Sequence, residues 1–179
     1  MISQQDRINY WEALSISHHL VLHNADILDG IIVIGHRNSF IVDIADELEA
    51  SEIINLQFPC VVANLVAGKV ILKDDQPRIR YQNKITFLSR FSITSDADPS
   101  IPDSKKSAFD ITYEVLKDFL NKIVEDYDDM GPCGDFRFID ENSYRWEPVE
   151  LAGSNMCGWA LYFNDEEAAN FIVDETKWN

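Results

Sequence analysis

The stretch SAFDITYEVLKDFLNKIVEDY, residues 107–127, puts Phe109, Thr112, Leu116, Phe119, Ile123 and Tyr127 at helical spacings along one stripe. Such a recurrence is the core-facing side of a helix with about 3.6 residues per turn. Ser107 stands where an N-cap belongs, Asp110 follows in the first turn, where a carboxylate meets the positive end of the helix dipole, and Gly131-Pro132 ends the pattern. The spacing predicts one long helix over 107–128. Just upstream, residues 83–94 alternate so that Ile85, Phe87, Ser89, Phe91 and Ile93 share one side, the period of a half-buried strand. A loop rich in Pro and Asp, 95–104, joins the two.

Further toward the N-terminus, Pro59 to Ala67 is almost continuously apolar, as expected of a central strand covered on both faces. Lys69 to Lys73 extends it as a hairpin through Ala67-Gly68, and Asp74 to Pro77 reads as a turn before Arg78-Ile79-Arg80-Tyr81. Ser39 to Glu52 reads as a strand running into a helical turn, and Ile27 to Gly35 as a short β-branched strand. Ser3 and Asp6 open an amphipathic helix over 4–23 whose stripe is Ile8, Trp11, Leu14, His18 and Leu22. After the long helix, Asp135 to Ile139, Trp146 to Leu151 and Cys157 to Phe163 are three short strand candidates, and Asp165 to Asn179 reads as a short helix and extended tail.

The order helix, strands, long helix, strands predicts an α+β fold. It is a single domain over 1–179 with a mostly antiparallel or mixed sheet, packed by the N-terminal helix and the long central helix, and with 165–179 as a C-terminal extension. No internal repeat or linker divides the 179 residues, a length that supports one core. A hydrophobic share of 46% with 26% charged residues excludes the disordered and low-complexity classes. No apolar run nears the roughly 18 residues that span a bilayer, and Met1 to Asp6 has no basic segment leading into an apolar one. The expectation is a chain that acts without an export signal and away from membranes.

The net charge of −16 is unevenly spread: −7 over residues 1–60, +4 over 61–94, −2 over 95–124 and −11 over 125–179. So negative a molecule repels phosphate backbones, which argues against sequence-specific nucleic-acid binding. Opposite charge on one chain instead suits head-to-tail contact between identical subunits. The candidate interface residues are the basic Lys69, Lys73, Arg78 and Arg80, the acidic Glu125, Asp126, Asp128 and Asp129, and the apolar Phe171 and Trp178 in an acidic tail that needs covering. The run Glu125 to Asp129 sits at a helix C-terminus, where negative charge is unfavourable.

Catalytic signals are weak. His19 and His23 lie four apart on the expected helix and could grip a metal with Asp26 or His36, but Leu20 occupies the position of the metalloprotease Glu. Asp43, Asp46, Glu47, Glu49 and Glu52 lack the EF-hand pattern of oxygen positions. Cys60, Cys133 and Cys157 make neither a CxxC nor an even set, and Cys60 and Cys157 sit inside apolar strands as small core residues. There is no nucleophile elbow and no phosphate-binding glycine loop. No enzyme, catalytic residue, resident metal or cofactor is expected.

Three stretches together resemble a known family. They are Ser39-Phe40-Ile41-Val42-Asp43-Ile44-Ala45-Asp46-Glu47 leading to Phe58-Pro59-Cys60-Val61-Val62, the strand 83–94 with its helix 107–128, and Tyr144-Arg145-Trp146-Glu147-Pro148-Val149-Glu150 followed by Asn155-Met156-Cys157-Gly158-Trp159-Ala160-Leu161-Tyr162-Phe163. Their arrangement resembles the tail-completion, or tail-terminator-like, neck proteins of tailed bacteriophages, over about two thirds of the chain from Ser39 to Phe163. The resemblance implies a non-catalytic virion protein assembled in the host cytoplasm, usually as a ring of six copies. The ring caps the tail tube, joins it to the head-side connector, and lets DNA pass through its lumen. An acidic lumen would let phosphate pass without sticking; an inner wall of Lys69, Lys73, Arg78 and Arg80 would contradict that use. Two other readings are an acidic DNA-mimic inhibitor, against which the basic middle argues, and a small metal-dependent enzyme centred on His19, His23 and Asp26.

Overall fold

A computed structural model describes residues 4–23, 39–43, 56–64, 67–73, 76–92, 102–130, 143–151 and 154–168. Among them are two helices, α1 (Gln4–Ser17) and α2 (Lys105–Met130), and six strands: β1 (Phe40–Asp43), β2 (Cys60–Asn64), β3 (Ala67–Lys73), β4 (Gln76–Arg90), β5 (Arg145–Glu150) and β6 (Met156–Ala168). The strands form one sheet in the order β1-β2-β4-β6-β5, with β3 paired to β4. Only β1 and β2 run parallel; all other pairs are antiparallel. The fold is α+β in a single domain, as the element order predicts.

Both helices cover the same sheet face. Val61, Ala63, Ile85, Phe87, Leu161 and Phe163 meet Val115, Leu116, Phe119 and Ile123 of α2 and Trp11 of α1. Phe87 and Phe119 meet edge-to-face at 5.1 Å, and Trp11 meets Phe163 likewise at 5.5 Å. Each such side chain contributes about 2–3 kcal/mol by leaving water. The Trp159 indole N–H donates to the Phe109 carbonyl at 3.1 Å, and the Tyr10 hydroxyl donates to Asp126 at 2.7 Å. Since Trp159 precedes Phe163 along β6 and Phe109 precedes Asp126 along α2, helix and strand run in the same direction.

The opposite, outer face carries a second small core of Leu56, Cys60, Val62 and Leu88, closed by Ile41, Phe58, Val149 and Leu151. Leu56 and Phe58 come from the last residues before β2 in the connection that a parallel β1–β2 pair requires, and these residues pack on the outer face. β2 is buried on both faces, as its apolar run predicts. β4 differs from the half-buried strand expected. Residues 85–89 are all buried, because the connection covers Leu88 while α2 covers Phe87.

The hairpin also differs. The β2–β4 register ends at Ala63↔Ile85 and the β3–β4 register begins at Ala67↔Gln82. The chain does not turn at Ala67-Gly68; β3 continues the line of β2 along β4 until Lys73 meets Gln76. β6 accompanies β4 from Arg90↔Met156 to Arg78↔Ala168. Asp165 to Ala168 therefore extend a strand where a short helix was expected. Gly158 is required by this pairing: a Cβ there would lie 1.8 Å from the Phe87 carbonyl oxygen.

Helix ends depart from the sequence reading as well. α1 stops at Ser17 instead of reaching residue 23, since the His23 N–H returns to the Ser15 carbonyl and Leu22 takes a φ of 50°. Leu22 is consequently exposed and Val21 buried, the reverse of the expected stripe. α2 begins at Lys105 with Ser104 as its N-cap, whose Oγ accepts the Ser107 N–H at 3.1 Å. Ser107 is thus the residue capped. The strand candidates Ile27–Gly35 and Asp135–Ile139, the helical turn after Asp43, and the tail beyond Ala168 lie outside the described residues.

Candidate functional site

Titratable groups gather where α1 ends against α2. Leu14, Ser17, His18, His19, Asp118, Phe119 and Lys122 line a cleft of about 210 Å³. One donor atom each from His18, His19 and Asp118 lies within 4.8 Å of the others, a spacing that could hold a metal. His18 Nε2 is 3.3 Å from Asp118 Oδ2, and the two imidazoles stack at 4.9 Å.

The hydrogen bonds decide what His18 can do. Its Nδ1 accepts the Leu20 N–H at 3.2 Å, so that nitrogen has no proton, and the proton of the neutral ring sits on Nε2 facing Asp118. Both nitrogens are thereby committed. Ligation of a metal through Nε2 needs that lone pair free and an Nδ1–H given to an acceptor, the opposite polarity. A general base for Ser17 needs a free lone pair, and the Ser17 hydroxyl already donates to the Leu14 carbonyl at 3.0 Å. Burial lowers the His18 pKa, with Asp118 opposing the shift, which agrees with a neutral ring.

His23 repeats the arrangement. Its Nδ1 accepts the Ser39 N–H at 3.2 Å and its Nε2 faces Glu12 at 3.2 Å, so it ties the end of α1 to the start of β1. Because the helix ends at Ser17, the helical i, i+4 relation expected of His19 and His23 does not exist. His19 is exposed and His23 is buried. Asp26 and His36 lie outside the described residues, as do all but Asp43 of the acidic cluster 43–52. Cys60 and Cys157 are buried free thiols, and burial raises the Cys157 pKa, away from the reactive thiolate. Cys133 is not among the described residues.

The charged residues singled out in the sequence are distributed as follows. Lys69 is exposed on β3, and Lys73 ends that strand. Arg78 and Arg80 both reach Glu166 across the β4–β6 ladder, with Arg80 Nε donating to Glu166 Oε1 at 2.6 Å. Glu125 and Asp126 are bridged by Lys122 from the preceding turn of α2, at 2.9 and 2.7 Å, and Asp126 also receives the Tyr10 hydroxyl. Burial beside that carboxylate pushes the Tyr10 phenol up. Asp128 and Asp129 belong to the last turn of α2. Phe171 and Trp178 fall outside the described residues.

Some groups beside them were not singled out in the sequence. Lys84 and Arg145 lie over the Tyr162 ring at 6.0 and 4.6 Å, and Tyr162 donates to Glu147 at 2.7 Å. In β4 the parity that aligns Ile85 and Phe87 aligns Arg78, Arg80, Gln82 and Lys84 on the other side, so alternation carried back to residue 78 reveals the row. No protein-family model, curated protein or solved structure compared with the chain matches it.

Proposed function

We propose that the chain is a structural subunit of a tailed-bacteriophage neck, of tail-terminator or tail-completion type, that works through its surfaces. It assembles as a ring, of six copies by the resemblance, and joins the tail tube to the head-side connector. The observation that carries the reading is the three-stranded arm of β3, the first half of β4 and the last part of β6. Residues 68–70 of β3 are exposed, and residues 76–82 of β4 add about 23 Å of strand leading away from the buried run 85–89. An arm of this kind suits reaching a neighbouring subunit. His18 and His23 each hold a backbone N–H on Nδ1, which also favours a role carried by surfaces.

A native mass spectrum of the purified chain tests the reading, because it reports subunit number and bound metal together. A metal-free ring of about six copies is expected, followed by its identification in the virion neck by electron microscopy. A monomer carrying a stoichiometric metal would overturn the proposal and return attention to the cleft at His18.

A further inference from the structure

The outer face of the sheet, away from both helices, carries a charge opposite to that of the molecule. Where the connection through Leu56 and Phe58 no longer covers it, alternation and register bring together Lys69 of β3, Arg78, Arg80 and Lys84 of β4, and Arg145 of β5. Against these five cations the described residues of the same surface include the carboxylates Glu147 and Glu166, and the register places Asp43 of β1 on this side as well. A chain of net charge −16 thus has a locally positive face. Lys69 even stands directly opposite Arg80 across β3 and β4, a like-charge pair that weakens an isolated ladder and gains from a carboxylate brought between them.

The complementary charge lies on the other layer of the domain. Asp110, Glu114 and Asp118 recur every four residues on α2; Asp110 and Glu114 are exposed on the flank turned away from Val115 and the core, and Asp118 ends the row at the cleft beside His18. Among the described residues neither Asp110 nor Glu114 has an ion-pair partner. Lys106 and Lys117 flank the row, with Lys117 drawn over the Tyr113 ring at 5.3 Å. A two-layer domain that is positive outside its sheet and negative along its helix can associate with copies of itself in one direction, sheet face to helix row.

We propose that copies of this chain associate heterologously, the basic outer face of one sheet (Lys69, Arg78, Arg80, Lys84, Arg145) meeting the α2 carboxylate row (Asp110, Glu114, Asp118) of the next. Only the closure of such contacts into a ring rests on the neck-subunit reading. A nucleic acid fits this face less well: Tyr162, its aromatic ring, is lined by Arg145 and Lys84 where a base would stack, and the whole molecule repels phosphate.

Charge swapping on the full-length chain tests the contact, read by sedimentation velocity and native mass spectrometry. Raising salt from about 0.1 M to about 1 M shortens the Debye length from about 10 Å to about 3 Å and moves the assembly midpoint at least tenfold higher in protein concentration. The sheet variant Lys69→Glu/Lys84→Glu and the helix variant Asp110→Lys/Glu114→Lys each remain folded by circular dichroism and each sediment as monomers. An equimolar mixture regains assemblies with equal numbers of the two, because each reversed surface then finds an opposite one. Assembly of either variant alone as in the wild type overturns the contact, as does a mixture that stays monomeric or a wild-type chain that is monomeric throughout. A single-stranded oligonucleotide that binds the wild type and not the sheet variant would assign the face to nucleic acid instead. Rings that persist in both variants refute this interface and leave the neck reading intact. Complementation by a protein that is absent from virions refutes the neck reading and leaves the interface intact.

Discussion

Arg7 offers a direct test of how α1 is held. Its guanidinium pairs with Asp165, and the two side chains are 2% and 5% exposed, so both charges have left water. The guanidinium also lies 4.2 Å from the centroid of the Tyr81 ring, which fixes α1 against the start of the arm. Replacing Arg7 by Met keeps the apolar stem and removes the cation that faces the buried Asp165 carboxylate. Removing one member of a buried pair costs about 3–5 kcal/mol, a large part of the roughly 5–15 kcal/mol that holds a domain folded. For a domain of this size the melting temperature should fall by about 6–20 °C. Urea unfolding followed by far-ultraviolet circular dichroism measures the loss, and a double variant, Arg7→Met with Asp165→Leu, apportions it. If the loss is the uncompensated charge, the double variant recovers to within about 1 kcal/mol of the wild type, since apolar replacement of a whole buried pair is often neutral. A single variant that loses less than about 1 kcal/mol, or a double variant whose loss is the sum of the two singles, would refute the reasoning.

Three further outcomes are expected. Gly158→Ala drives a methyl group into the Phe87 carbonyl and should cost about 3 kcal/mol or more in urea unfolding. Ser104→Ala should cost about 1 kcal/mol by removing the α2 cap, while Ser107→Ala, which keeps that cap, costs less than half as much. For His18, burial holds the folded imidazole below its ordinary 6.5, so the unfolded chain takes up its proton first as pH falls. Its contribution is complete above about pH 6.5 and is lost as pH drops through the lowered folded value; comparing unfolding curves of the wild type and His18→Gln between about pH 4.5 and 7.5 should show a shallower slope in the variant.

The order of elements was legible because period and length agree where an element spans one environment: α2 has a full stripe, and β2 a continuous apolar run. Legibility failed where an element passes between environments. β4 begins in the arm, where Arg78 and Gln82 are exposed, and ends in the core, so its residues 78–81 read as a separate basic stretch. β6 runs from Cys157 in the core to Glu166 in the arm, and its acidic end read as a tail. The stop of α1 at Ser17 leaves no mark in periodicity, because it is made by the His23 N–H returning to the Ser15 carbonyl and by Leu22 at a positive φ, with His23 held by the Ser39 N–H that only the folded chain brings to it. Arg7 gave no signal either, since its partner is 158 positions away in sequence. Of the candidate interface, Arg78 and Arg80 could be picked out by charge alone. Their common side with Lys84, and their pairing to Glu166, depend on which strand lies beside β4.

Because β4 and β6 pass without interruption from the core into the arm, the arm is mechanically part of the domain. Their ladder bonds lie across the strand direction from Arg90↔Met156 to Arg78↔Ala168. A pull along the arm loads these bonds in shear, all at once, whereas peeling a terminal strand would break them one after another. Tension applied to the arm by a neighbour therefore reaches Phe87 and Leu161 beneath α2 as a distributed load, and the arm can be strained without first coming away from the body that carries it.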